Sequence, residues 1–142
     1  MNHALFKTLN EDELNIALGY FKTKNYKKGE ILATKGEFCQ KAFILVDGEI
    51  KVDNKSRFGM DEEVFCAINL IDGGLVNHDI VSMGASVLEI EHDDFIEMID
   101  ENPGVAIKLL WFISYEITKE YRECEMRASV LFNALNEVVD ND

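Results

Sequence analysis

Three histidines, three cysteines and a long acidic tract are the residues of this 142-residue chain that could do chemistry. His3, His78 and His92 stand near the start, among turn residues and ahead of a short helical pattern. A metal centre on a β-framework needs imidazoles clustered on neighbouring strands. This spacing does not supply them, so no metal site is expected. Cys66 and His78 are near enough along the chain to suggest a thiol nucleophile with its base, though a small buried cysteine is the simpler expectation. Cys39, Cys66 and Cys124 are odd in number, widely spaced and form no CxxC pair. They predict reduced, partly buried thiols in a cytoplasmic protein. Neither a phosphate-cradling GxxxxGK nor a GxSxG elbow occurs, so neither an enzyme nor a cofactor is expected.

The chain carries 27 acidic against 14 basic residues, a formal net charge of −13. That surplus opposes binding to nucleic acid and to anionic membranes. It is unevenly spread. From Phe58 to Ile107 there are twelve Asp or Glu and no Lys or Arg, while the flanks hold fifteen acids and fourteen bases. Hydrophobic residues make up 47% of the chain, enough for one core without a disulfide framework. No apolar run reaches a membrane-spanning length, and the start lacks the basic-then-apolar order of a signal peptide. One domain over 1–142 is expected.

The elements that must position any site follow from turn chemistry. Gly29-Glu30, Gly36-Glu37 and Gly48-Glu49 punctuate the stretch from Lys28 to Val52. Glycine supplies the positive φ that tight turns need. Between the pairs lie Ile31 to Ala33 and Ala42 to Val46, then the alternating Ile50, Lys51 and Val52. Apolar runs this short, bounded by turn residues, predict strands, and their succession predicts a mainly β double-stranded β-helix, or jelly roll. Ahead of it Asn10 caps a helix, Glu13 bonds back, and Leu9 with Leu14 staples the entry. Lys22, Lys24, Lys27 and Lys28 read as a solvated lead-in to the first strand rather than a docking patch. Val64 to Ile71 is an apolar run closed by Asp72-Gly73-Gly74. Asp79 to Met83 and Val87 to Glu91 predict two more strands. His92-Asp93-Asp94 caps a short helix carrying Phe95, Ile96 and Ile99, which Pro103 ends. The expected division is a helical segment over 5–28, a β-roll over 29–91 and helices over 92–139.

The pattern of Gly29-Glu30, Gly36-Glu37 and then Phe43-Ile44-Leu45 with Gly48, Ile50 and Val52 resembles the first half of the cyclic-nucleotide-binding domain of catabolite activator proteins and protein kinase A regulatory subunits. The resemblance runs from about Leu5 into the C-terminal helix. It implies a jelly roll and a regulatory, non-enzymatic role in signalling, of bacterial type. It also implies a long hairpin after Val52, where this chain has only the short polar Asp53 to Gly59, so a strand pair looks shortened or lost. The family cassette reads roughly Phe-Gly-Glu-x-Ala-Leu-Leu, followed by Arg-x-Ala. A short helix aims N–H groups at the cyclic phosphate, the Arg pairs with that phosphate, and the Glu accepts from the ribose. Here the cassette falls on Phe65, Cys66, Ala67, Ile68, Asn69, Leu70 and Ile71. Cys66 takes the Gly slot, Ala67 the Glu slot, and Leu75 or Val76 the Arg slot. The resemblance therefore implies the fold and argues against cAMP or cGMP bound in the usual way. Apolar side chains are expected to fill the hollow from within. The alternative is a sensor for a neutral, cationic or apolar ligand.

Leu110, Ile113, Ile117, Tyr121, Cys124, Ala128, Leu131, Leu135 and Val138 recur at steps of three and four, a coiled-coil seam. The resemblance makes this helix a homodimer interface, and a further protein partner would suit an interaction module. Leu109, Phe112 and Glu116 form a second face, expected to pack on the roll. Ser129 offers the alternative of a break, with 130–139 folded back. The transcription-factor branch would follow with a helix-turn-helix, which these residues do not contain.

Overall fold

The computed structural model describes residues 3–140. A 3-10 turn at Ala4–Phe6 leads to α1, Glu11–Leu18, whose capping box is the expected one: the Glu13 N–H donates to Asn10 Oδ1 at 2.9 Å and the Asn10 N–H to Glu13 Oε1 at 3.1 Å. The strands are β1 Lys22–Tyr26, β2 Ile31–Ala33, β3 Lys41–Val52, β4 Lys55–Phe58, β5 Val64–Phe65 and β6 Ile80–Glu91. The helices α2 Ala67–Asp72, α3 His92–Glu101 and α4 Pro103–Asp140 complete the chain. The pairing order is β1-β6-β3-β4, with β2 on β6 and β5 on β3.

Residues 42–45 form a continuous apolar run because β3 is covered on both faces, and alternation along the strand sorts its side chains. Ala42 and Ile44, with Leu88 and Ile90 of β6, face a helical core built by Leu5, Phe95, Met98, Leu109 and Ile113. Phe43 and Leu45, with Val87 and Ala85 of β6, face the inside of the roll with Leu32, Ile50, Phe65, Val76 and Ile80. Glu89 shares the parity of Val87 and is only 3% exposed. Its carboxylate is met by Lys24 at 3.1 Å, Lys41 at 3.8 Å and the Tyr26 hydroxyl. Burial, and then that bond, raise the Tyr26 phenol.

Several boundaries depart from the sequence. Lys22–Tyr26 is a strand on the edge of the sheet, not a lead-in, so the roll begins ahead of residue 29. Its Lys-Thr-Lys-Asn-Tyr sequence has no apolar alternation to announce it, and its lysines suit an unpaired edge. The hairpin after Val52 survives in short form. Asp53 and Asn54 have φ of 50° and 69°, the left-handed pair of a two-residue turn, and β4 pairs from Val52↔Lys55 to Glu49↔Phe58. The two strands expected over 79–91 are one, β6. In α3 it is Phe95 and Met98 that are buried, while Ile96 and Ile99 face out. α4 runs through Ser129 without a break, so no folded-back helix forms.

Gly48 lets β3 and β6 approach. It has φ of 87°, and an added Cβ would lie 2.0 Å from Gly84 O and 2.9 Å from Ala85 Cα. Gly36, with the same φ, has open space around that position. Gly36→Ala should therefore cost about 1–2 kcal/mol, the left-handed penalty alone. Gly48→Ala should cost clearly more, because backbone must move. Urea unfolding of the two variants checks the order, and equal losses would contradict it.

Candidate functional site

A cavity of about 760 Å³ opens beside Phe65, between the roll and the middle of α4. Its cassette wall is β5 and α2. Phe65 is buried in the roll, and Cys66 is the N-cap of α2 with φ 62° and ψ 32°. The turn from β5 into α2 requires positive φ, which a side chain disfavours by about 1–2 kcal/mol. The cysteine keeps the turn and accepts the strain. Asn69 is buried and donates through Nδ2 to Gly74 O at 2.9 Å, closing the far end of α2. The ring Nδ1 of His92 lies 2.6 Å from Leu70 O, tying α2 to α3.

Cys66, Ala67, Ile68, Asn69 and Val76 line the cavity with Phe65. Leu70 does not, since it is wholly buried in the helical core. Leu75 is also elsewhere: it is 52% exposed and bridged to Phe38, so of the two it is Val76 that lines the cavity. The hollow is open, contrary to the expectation that the cassette fills it. Leu70, Phe65 and Val76 are committed to the two cores, and the remaining rim is charged, so collapse would bury ions without partners.

The rim also carries cations that the acidic middle third did not promise. Lys55 and Arg57 sit at alternate positions of β4 and both line the cavity. Lys119 and Arg127 come from α4. Opposing them are Asp53, Asp61 and Glu63 on the roll side and Glu116, Glu120 and Glu123 on α4, so four basic residues meet six acidic ones. Arg57 Nε lies 3.0 Å from Glu63 Oε1, an ion-pair distance. Its N–H is not directed at that oxygen and, buried, meets no acceptor. His78 Nδ1 lies 2.5 Å from Asp53 Oδ2, and that bond, with the Asp79 N–H, lowers the Asp53 carboxyl. His78 is thus held by Asp53, not by Cys66. Among the described residues no group of three or more His, Cys, Asp or Glu is placed to hold a metal.

The missed residues lie just outside the window that looked empty of cations. Arg57 directly precedes it, and the α4 cations follow it. A hairpin at Asp53-Asn54 was the available signal, since it projects Lys55 and Arg57 to one side. On α4, Ile113 is 3% exposed within the chain's own helical core, and Leu110 and Ile117 pack against that core. Leu109 joins it and Phe112 packs against it, while Glu116 turns to the cavity. Tyr121, Cys124, Ala128 and Leu131 are exposed, so Cys124 is not the partly buried thiol expected.

The same construction of roll, short cassette helix and long closing helix recurs in known proteins. A family model for the cyclic nucleotide-binding domain matches residues 23–102. The chain belongs to the cyclic nucleotide-binding domain family. The match spans β1 to the end of α3, and so includes the cassette and Arg57. The cyclic AMP receptor protein of Thermus thermophilus is 22% identical over 136 residues, covering 89% of this chain and 61% of that protein. The chain thus spans less than two-thirds of that relative's length. The crystal structure of the Thermus thermophilus catabolite activator protein matches with a TM-score of 0.68 at 21% identity, covering 87% of this chain and 62% of that one. A cyclic nucleotide-binding domain from Methylobacillus flagellatus matches with a TM-score of 0.73 at 18% identity, covering 84% of this chain and 72% of that one. At such identities the likeness establishes the jelly-roll fold. No described helix is long and apolar enough to cross a membrane.

Burial, the largest cause, holds the Glu116 carboxyl above its ordinary range. A raised folded-state pKa means that the ionised form is disfavoured in the fold. The penalty is in force wherever the group is charged in both states, shrinks as pH falls below the raised value and is gone below the ordinary one. Glu116→Gln should raise the Tm near neutral pH and leave it almost unchanged near about pH 4, where the carboxyl is largely protonated in either state. Thermal melts at both pH values provide the comparison.

Proposed function

We propose that this chain is a non-enzymatic regulatory module that senses a small ligand in the cavity beneath α4 and does not take cAMP or cGMP in the usual way. The open, mixed-charge cavity between cassette and helix carries this proposal. Its balance of six acidic to four basic residues favours a neutral or cationic ligand over a cyclic phosphate. The slots that resemble the family's phosphate and ribose contacts hold Val76 and Ala67. Each missing charge-assisted bond is worth about 1.5–3 kcal/mol, or roughly one to two decades of affinity. Arg57 is engaged by Glu63, which limits what it can offer an anion. The net charge of −13 argues against nucleic acid as a partner. Calorimetry with millimolar cAMP and cGMP should register no binding. A Kd in the low micromolar range would overturn this reading.

The module is further proposed to act as a homodimer through α4. At 38 residues the helix is roughly 57 Å long, well beyond the breadth of one domain. Leu110, Ile113 and Ile117 are held by the chain's own core, so pairing would use the distal part of the seam. There Leu131 is 70% exposed, and Tyr121, Leu135 and Val138 are similarly bare. Such a stripe is of the kind soluble monomers avoid, and a two-fold axis would make it its own complement. Light scattering should give twice 16.2 kDa, with Leu131→Asp shifting the chain toward monomer. A monomer at tens of micromolar that ignores this substitution would refute the dimer.

A further inference from the structure

His3 is a buried imidazole that takes no part in the cavity. It is 8% exposed and stands at the head of the 3-10 turn Ala4–Phe6. Its Nδ1 accepts from the Leu5 N–H at 3.0 Å, and its carbonyl accepts from the Phe6 N–H at 2.9 Å. A ring nitrogen that accepts carries no proton, so the neutral imidazole holds its one proton on Nε2. Nε2 is buried and meets no aligned acceptor among the described residues. The ring stands edge-to-face with Phe6 at 6.4 Å and with Phe112 of α4 at 6.1 Å, centroid to centroid. Leu5 and Phe6, each 2% exposed, belong to the same core as Leu109 and Ile113. The imidazole therefore sits where residues 3–6 meet the root of α4.

We propose that His3 makes the docking of residues 3–6 on α4 proton-sensitive: the neutral ring seats the turn, and proton uptake releases it. An imidazolium is a donor at both nitrogens. Protonation thus sets Nδ1 against the Leu5 N–H and places a charge between two phenyl rings in the core. Burial is the largest influence on the ring and holds His3 below its ordinary value. From the turn ahead of β5, the backbone of Glu63 and Glu62 and the Glu62 carboxylate favour the charged form, while Lys7 opposes it. α4 contributes the uncharged ring of Phe112. The released ring takes a proton more readily than the docked one. Docking is therefore strongest above the ordinary value of 6.5 and weakens as pH falls below it. Lys7 also reaches Glu62 at 3.3 Å, an exposed tie that does not depend on His3. Release would uncover Phe112, one helical turn ahead of Glu116 in the cavity lining. The device acts on the root of the helix above the cavity, whether or not the cavity takes the ligand proposed above.

Amide hydrogen exchange on the full chain, followed by NMR and corrected for intrinsic rates, reads the opening of each N–H. Between about pH 7.5 and about pH 5.5 the opening of Leu5 and Phe6 should rise about tenfold, the limit one pH unit below the ordinary imidazole value. The amides of β3 and β6 should keep their protection. The His3 ring, assigned through its own backbone, should titrate below 6.5. His3→Asn retains an acceptor for the Leu5 N–H but takes no proton, so its turn should be equally protected at both pH values. A His3 midpoint at or above 6.5, unchanged protection of Leu5 and Phe6, or a loss shared by β3 and β6 would overturn the proposal. So would an undiminished pH response in His3→Asn. The ring titration and the exchange of the unsubstituted chain decide even if the variant does not fold.

Discussion

Burial of β3 and β6 on both faces is the constraint from which the rest of the molecule follows. Two twelve-residue strands pair through the centre of the sheet. Neighbouring side chains on each must be apolar on opposite sides, so the protein has two cores divided by one sheet. The helical core takes Ala42, Ile44, Leu88 and Ile90 and draws in α1, α3 and the first turns of α4. The inner core takes Phe43, Leu45 and Val87 and draws in β2, β5 and Val76. The one charge placed on this buried surface, Glu89, is tolerated because two lysines and a tyrosine reach it. Removing a single partner would leave that charge short of compensation, the costly way to break a buried ionic cluster.

The cassette contributes backbone geometry more than charge. Its short helix has a left-handed entry at Cys66 and a tether to α3 through His92, and Val76 beside it belongs to the inner core. Lys55, Arg57, Lys119 and Arg127 bring the cations of the rim from β4 and α4. The electrostatic character of the hollow is therefore set by elements outside the cassette.

Much of this was legible in the sequence. The unbroken Phe43-Ile44-Leu45 run and its flanking Gly-Glu pairs specify strands and turns, and Asn10 with Glu13 specifies the start of α1. β1 was hidden because an exposed edge strand has no apolar face to display. β4 was hidden because a four-residue strand behind an Asp-Asn turn looks like a polar loop. The cavity cations are hidden because Arg57 stands one residue ahead of the cation-free tract, and because Lys119 and Arg127 reach the site only through tertiary packing. Ile113 fits a coiled-coil seam and a domain core equally well, since both ask only for an apolar residue at that angle around the helix.

α4 contains the chain's only proline, at its first position, where a missing N–H costs nothing and the ring imposes no kink. Beyond it the rod is unbroken past the cavity and out to its tip. From Glu116 to Asp140 is roughly 36 Å at 1.5 Å per residue. A tilt of about 10° at the cavity rim would sweep the tip through about 6 Å, more than a full helical turn of rise. The helix thus has the geometry of a lever whose short arm is clamped by the helical core and whose long arm extends beyond that core. A small event at Glu116 or Glu120 is amplified by distance alone, with no chain of side-chain rearrangements needed to transmit it.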